Sequence, residues 1–312
     1  MLKSLKSFSI SSVSHRRSNL LRRSSFNNIS PIIIPAYKNF AEKQYKETSQ
    51  RRLQYFLKMS DSGNAGIPIF HSVEPILKVF NEDENKNVYG VKQLLDIYNS
   101  ALDLYQRSQA LGEMKKYPLI VLEGLDGSGK TSMTKCLARK LKAQKWRTPP
   151  ESISHLRNVF DDNAVLRTAF YSLGNYIAAL EVQLILRNEP VVMDRFWHST
   201  AAYAIAQAVQ DEPNKYKMPP KGHEIYRWPN DLLKPDISIL LEVSEAARLE
   251  RHSRRETYTP QEDLLKSSED FRQNVLQAYK NMYNPGVTTV NGNYSFGSTL
   301  FHLKSVVKPL FE

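Results

Sequence analysis

A chain of 312 residues with 41% apolar side chains can bury a substantial core as one large or two ordinary domains, which excludes a wholly disordered protein. Its single cysteine, Cys136, excludes an intramolecular disulfide and a multi-cysteine metal site. The formal charge of +11 would ordinarily suit nucleic acid or an anionic membrane surface, yet seven of those charges precede the first acidic residue, Glu42.

Those seven are Lys3, Lys6, Arg16, Arg17, Arg22, Arg23 and Lys38, set among many serines with scattered Leu, Phe and Ile. An acid-free leader rich in Arg and Ser has the composition of a mitochondrial transit peptide. Residues 1–41 are assigned that role, and the protein is expected in the mitochondrion, in its matrix. A basic tail that binds nucleic acid is the competing reading of the same composition.

Residues 42–116 read as a linker and a helical extension. The linker is polar and ends in DSGNAG. After EPILKVF, the residues Leu94, Leu95, Ile97, Tyr98, Ala101, Leu102 and Tyr105 recur at helical spacing. NEDENKN, Asn81 to Asn87, forms an exposed polar turn between the two segments. No apolar run approaches the ~20 residues of a membrane-spanning helix, so no membrane span is expected.

From Tyr117 the short apolar runs LIVLE, VVMD, DISILLEV and GVTTV alternate with helix-length segments. Such alternation predicts β-α units whose parallel strands are buried on both faces. Residues 117–312 therefore read as one α/β domain.

Within it, LIVLEGLDGSGKTS carries G-x-x-x-x-G-K-T, with a strand pattern before it and a helix pattern after it. Glycines at 124, 127 and 129 let backbone N–H groups and the helix N-terminus face phosphate oxygens. The predicted ATP contacts are Gly124, Leu125, Asp126, Gly127, Ser128, Gly129, Lys130, Thr131 and Ser132. Lys130 reaches the terminal phosphates and Thr131 ligands magnesium. Cys136, on the following helix, is expected as a small buried residue. The motif leaves the phosphoryl acceptor open, because GTPases, motor ATPases and small-molecule kinases share it.

VVMDRFWHST narrows that choice. Asp194 and Arg195 end an apolar run that should lie beside the phosphate loop, where strand carboxyl ends gather ligands. Asp194 suits Mg²⁺ or its waters, and Arg195 suits a bidentate grip on a second phosphate. A simple Asp-Arg surface pair is the plainer alternative. Phe196, Trp197, His198, Ser199 and Tyr203 offer rings and hydroxyls to a planar ligand, as do Phe170, Tyr171, Asn175 and Tyr176 on a helix beside the same cleft. Aromatic residues at helical spacing also serve as core, so Asn175 is the discriminating member, able to read a base edge.

AARLERHSRRE sets Arg248, Arg251 and Arg255 on one helical face, with Arg254 beside them. This is either a solvated basic stripe or a lid whose arginines stabilise the moving phosphoryl group. A phosphate acceptor needs no general base, whereas a nucleoside hydroxyl would call for a carboxylate, for which Glu151 is the obvious candidate.

With GLDGSGKTS, DRF, KPDISILLEV and the arginine-rich segment in place, the chain resembles the thymidylate kinase family of P-loop nucleoside monophosphate kinases. FDDNAVLRTAFYSLGNYI, DRFWHSTAAYAIA, YRWPNDLLKPD and the NPG at Asn284 to Gly286 resemble its mitochondrial UMP/CMP kinase branch. The resemblance implies a P-loop NTPase fold with a five-stranded parallel sheet, helices on both faces, and often a homodimer. It implies Mg²⁺ with ATP as phosphoryl donor, and a pyrimidine nucleoside monophosphate as acceptor. Asp126 would contact the acceptor sugar, Arg195 its phosphate, and Tyr171, Asn175, Ser199 and Tyr203 the remainder of the acceptor. Gly127 stands where some members carry a loop arginine, so catalytic charge falls to Lys130, Arg195, Arg251, Arg254 and Arg255, with Asp194 on the metal. Tyr176 and Ser152 also replace family arginines, for which Arg157 or Arg167 are candidate substitutes.

The expected activity is thus phosphorylation of dUMP, dCMP, UMP or CMP, with no nucleic acid as partner. Thymidylate kinase activity, a deoxynucleoside kinase, and a nucleotide- or nucleic-acid-binding protein without turnover are the alternatives.

Overall fold

The computed structural model describes residues 66–110, 114–252, 265 and 267–312. The predicted transit peptide, the linker up to residue 65, and Arg254 and Arg255 lie outside the described residues. No helix among the described residues is long and apolar enough to cross a membrane.

Two helices come first, α1 (Val73–Asn81) and α2 (Val91–Gln109). The α/β part follows as β1 (Leu119–Glu123), α3 (Lys130–Leu141), β2 (Gln144–Arg147), α4 (Glu151–Ser154), α5 (Ala164–Ile185) and β3 (Val191–Asp194). It continues with α6 (Trp197–Asp211), β4 (Ile237–Glu242), α7 (Glu245–His252), α8 (Glu269–Asn281), β5 (Thr288–Asn291) and α9 (Phe296–Val307).

The five strands are parallel and ordered β2-β3-β1-β4-β5. The side-chain period of two explains the layers. Leu119 and Val121 of β1 enter one core with Val191 and Met193, under α1, α2, α5, α6 and α8. Ile120 and Leu122 enter the opposite core with Val192, Ile239 and Leu241, under Met133 and Leu137 of α3 and Leu303 and Val307 of α9. The apolar runs LIVLE, VVMD and DISILLEV are thus strands covered on both faces, as the sequence predicted. GVTTV departs from that expectation, because β5 is an edge strand with Thr288, Thr289 and Asn291 exposed.

Strand β2 was not among the predicted strands. Its residues, QKWR, lie at the sheet edge and are largely exposed, so they carry no apolar signature.

The helical extension is not a separate unit. Ile76 and Phe80 of α1 and Val91, Leu94 and Tyr98 of α2 are buried in the same core as α5 and α6. Trp197 Nε1 donates to the Phe70 carbonyl at 3.3 Å. The Val73 amide donates to Asp231, whose other oxygen receives the Tyr176 hydroxyl at 2.5 Å. The segment before Tyr117 therefore braces α5 and α6. Cys136 corrects its expectation, being half-buried on α3 with Arg139 donating toward its sulfur.

Candidate active site

The carboxyl ends of β1, β2 and β3 open onto one cleft of about 540 Å³, a size that accommodates small ligands. Its floor is the loop from Gly124 to Gly129. Gly124, Gly127 and Gly129 all have positive φ, at 142°, 85° and 92°. A Cβ at Gly124 would lie 2.6 Å from the Leu241 carbonyl oxygen, so only glycine fits where the loop leaves the sheet. Lys130 opens α3 and donates from Nζ to the Leu125 carbonyl at 2.7 Å. Burial pushes its ammonium down to about 8, with Arg195 adding to the shift and Asp126, Asp194 and Glu123 opposing it. Thr131 and Ser132 are exposed on the first turn of α3.

Asp194 and Arg195 are adjacent in sequence but serve different partners. Asp194 Oδ2 accepts from Thr131 Oγ1 at 2.6 Å. Arg195 is a non-glycine residue at φ 67°, a left-handed conformation that calls for local support. Its guanidinium turns to Asp126 at 2.7 Å, to Ser199 Oγ at 2.9 Å and to Tyr203 OH at 3.3 Å. Tyr203 OH closes the triangle by donating to Asp126 at 3.0 Å. Burial alone would raise the Asp126 carboxyl, but Arg195 and Lys130 hold it well below the usual carboxylate range. Asp126 is therefore an ionised partner of Arg195.

A hard divalent cation requires oxygen donors. Thr131 Oγ1 and Asp194 Oδ2 converge beside Lys130, an oxygen pair that fits Mg²⁺. Among the described residues no group of three or more His, Cys, Asp or Glu side chains forms a metal cage.

Sequence reasoning missed Glu123, which ends β1. It has no exposure. One carboxylate oxygen accepts from the Phe196 amide at 2.9 Å, and the other accepts from Ser199 Oγ and, at 3.4 Å, from Tyr279 OH. Burial pushes its carboxyl up to about 7, against the pull of Ser199, Arg195, the Phe196 amide and Lys130. The available signal was the same as for Asp194, a charged residue ending an apolar run.

Tyr171 and Tyr203 line the same cleft with Thr148, Arg157, Ser199 and Thr200. Asn175 is buried on α5, its Nδ2 donating to Thr200 Oγ1 at 2.9 Å while its Oδ1 finds no partner. The other rings depart from expectation. Phe196, Trp197 and His198 are buried in an aromatic core around Trp228, Phe170 stacks on Phe160, and Tyr176 is tied to Asp231. Their burial follows from the first turn of α6 entering the core, which leaves Ser199 and Tyr203 to face the cleft.

Arg157 lines the cleft and donates from Nε to Tyr171 OH at 2.8 Å. Arg167 instead donates to the Asp161 carbonyl and lines a smaller neighbouring recess. Arg147, at the end of β2, is a further cleft cation that the reading of sequence did not single out. Glu151 pairs with it, and the Glu151 side chain is 83% exposed.

The arginine face is divided. Arg248 is fully buried, bonded to Glu245, the Leu265 carbonyl and, at 3.4 Å, the Asp126 carbonyl. Arg251 donates to the Ser128 carbonyl at 2.9 Å and to the Gly292 carbonyl at 3.0 Å. Both guanidiniums grip the phosphate loop from behind, so this part is not a solvated stripe.

The thymidylate kinase family model matches residues 122–297. Over 215 residues the chain is 40% identical to the human protein named UMP-CMP kinase 2, mitochondrial, covering 68% of this chain and 47% of that one. The chain thus spans about half the length of the human relative. Probable thymidylate kinases of Thermoplasma acidophilum and Methanocaldococcus jannaschii are 27% and 30% identical over 167 residues each. Those matches cover 52% and 51% of this chain, and 81% and 82% of the archaeal proteins.

Proposed function

The chain belongs to the thymidylate kinase family, and on that premise we propose that it transfers the γ-phosphate of ATP to a pyrimidine nucleoside monophosphate: UMP, CMP, dUMP or dCMP. The observation that carries this reading is Arg195, which faces the cleft beside the phosphate loop and is fixed by Asp126, Ser199 and Tyr203. Its planar fork suits a second phosphate.

The charge balance supports the same acceptor. Lys130, Arg147, Arg157 and Arg195 line the cleft, against the carboxylates Asp126 and Asp194. Two polyanionic substrates suit that excess. A deoxynucleoside kinase would need a carboxylate near the acceptor hydroxyl. Glu151 is exposed and turned to Arg147, while Asp126 is held ionised by Arg195 and Asp194 is bonded to Thr131.

In the transfer, an acceptor phosphate oxygen attacks Pγ and the bond to the β-γ bridging oxygen breaks, releasing ADP. The attacking oxygen is already anionic, so positioning and charge neutralisation carry the reaction. The backbone of Gly124 to Gly129 cradles the donor phosphates, Lys130 neutralises their terminal oxygens, and Arg195 aligns the acceptor. Arg157 and Arg147 substitute for the family arginines replaced by Tyr176 and Ser152. Thr131 and Asp194 would hold Mg²⁺, which when bound would neutralise charge developing on the donor phosphates. Tyr171 and Tyr203 border the base and sugar, and Asn175 reads a base edge. Arg251 holds the Ser128 carbonyl of the loop in place, and Arg254 and Arg255 are the candidates for cations that neutralise the moving phosphoryl group.

The composition of residues 1–41 and the name of the human relative support a mitochondrial protein. Thymidylate is the second acceptor reading, favoured by the archaeal relatives. Incubation with ATP, Mg²⁺ and single monophosphates tests the proposal, with a pyrimidine diphosphate as the expected product.

A further inference from the structure

Glu123 is the fully buried carboxylate among the described residues, and it does not line the cleft. Burying a carboxylate costs solvation that an apolar side chain in the same volume would not. Its partners indicate what it supports. The residue beside it, Arg195, holds φ 67°, which a bulky side chain keeps only where its surroundings over-determine it.

Three bonds fix that backbone. The Arg195 amide donates to Leu122 O at 2.9 Å, Thr148 Oγ1 donates to Arg195 O at 3.0 Å, and the Phe196 amide donates to Glu123 Oε1 at 2.9 Å. The side chain is fixed through the other oxygen. Ser199 has one hydroxyl proton, and Glu123 accepts it; the Ser199 lone pairs then face Arg195 Nη1 at 2.9 Å. A guanidinium has donors only, so it needs that acceptor. Tyr279 OH lies 2.7 Å from Ser199 Oγ and 3.4 Å from Glu123, closing the cluster from α8.

We propose that Glu123 is a positioning residue of the phosphoryl transfer: through Ser199 and the Phe196 amide it holds Arg195 in the conformation that meets the acceptor phosphate. This rests on the monophosphate kinase reading. Bonds to Asp126, Ser199 and Tyr203 hold Arg195 without any substrate, which lowers the ordering cost of its grip at binding. The fold gains a specific link between the end of β1 and the start of α6, carried to the acceptor rather than to ATP.

The test compares the full chain with Glu123→Gln, Tyr279→Phe and Ser199→Ala, measuring kcat and KM for the acceptor and for ATP separately. Glu123→Gln is isosteric, but its amide nitrogen cannot accept where the carboxylate did. The expected result is a loss of about tenfold or more in kcat/KM for the acceptor, with KM for ATP within about twofold. Tyr279→Phe loses less in the same direction, and Glu123→Gln combined with Ser199→Ala loses no more than the worse single variant. Equal losses for both substrates, or losses that multiply, overturn the proposal. Should Glu123→Gln not fold, Tyr279→Phe and Ser199→Ala with their double variant decide by the same criteria. A nucleotide-free crystal structure of whichever variant folds reads the claim without turnover: Arg195 is expected to leave Ser199 and Asp126, and an unmoved Arg195 overturns it. A wild-type protein without transfer activity would defeat the kinase reading alone, leaving the crystallographic result to judge Glu123.

Discussion

The guanidinium of Arg195 meets the carboxylate of Asp126 at 2.7 Å, across 69 positions of sequence, while its immediate neighbour Asp194 turns to Thr131. The left-handed backbone at Arg195 separates the adjacent charges. Asp194 thereby joins Thr131 at the start of α3, and Arg195 joins Asp126 within the loop.

Arg195→Lys keeps the charge but loses the fork. It should lower kcat/KM for the acceptor by about 100-fold or more, since the ammonium cannot satisfy Asp126, Ser199 and a phosphate together. Arg195→Ala also leaves Asp126 without its cation. The partly buried pair, each side chain 18% exposed, should then cost about 2 to 4 kcal/mol of stability, somewhat under the full value for an enclosed pair. Steady-state kinetics and chemical denaturation check the two effects.

Lys130→Met should abolish transfer, by about a thousandfold or more, while leaving the fold intact. Its ammonium bonds only to the Leu125 carbonyl within the loop, so circular dichroism should be unchanged while ATP turnover is lost.

Asn175→Leu separates base reading from packing. The Asn175 amide leaves Oδ1 buried without a partner, so removing it relieves an unsatisfied polar atom and the melting temperature should hold or rise. The acceptor KM should rise about tenfold or more, and preference between cytosine and uracil should weaken. A KM equal to wild type would show that Asn175 is only core.

The fold and the site were legible to different depths. Strands β1, β3 and β4 announced themselves because both their faces are covered, β5 through its β-branched run although it is a largely exposed edge strand, and the loop from Gly124 because its glycines, lysine and threonine stand in fixed register. Edge strand β2 carried no such pattern, which hid Arg147. The rings of Phe196, Trp197 and His198 looked like ligand contacts because composition cannot tell a pocket wall from a core. Only the entry angle of α6 decides that, and it buries these three while presenting Ser199 and Tyr203. Glu123 gave the same signal as Asp194, a charge ending an apolar run, but its role was not legible because it depends on partners at positions 196, 199 and 279, which no local spacing connects.

His198 predicts a pH dependence of stability. Burial pushes its imidazole down to about 4, opposed in part by its bond to the Pro285 carbonyl. Between pH 6.5 and 4 the unfolded chain binds a proton that the folded chain refuses, so this group's contribution is lost as pH falls through that window, by up to about 3 kcal/mol. Glu123 slopes the other way: its carboxyl, raised to about 7, makes a contribution that fades as pH rises from 4.5 toward 7. The difference in unfolding free energy between wild type and His198→Phe, followed from pH 4 to 7.5, isolates the histidine and should rise with pH.

Glu151→Gln should leave phosphorylation of monophosphates within about twofold of wild type, because that carboxylate is exposed and paired with Arg147. A collapse of activity would instead mark it as the base of a nucleoside kinase.

The most direct test supplies cytidine, deoxycytidine, uridine, deoxyuridine and thymidine, each with and without its 5′-phosphate, together with ATP and Mg²⁺, and resolves the products by chromatography. Diphosphates are expected from one or more of the phosphorylated pyrimidines, and nothing from the free nucleosides. Monophosphates formed from free nucleosides, or no phosphoryl transfer to any pyrimidine, would contradict the monophosphate kinase reading.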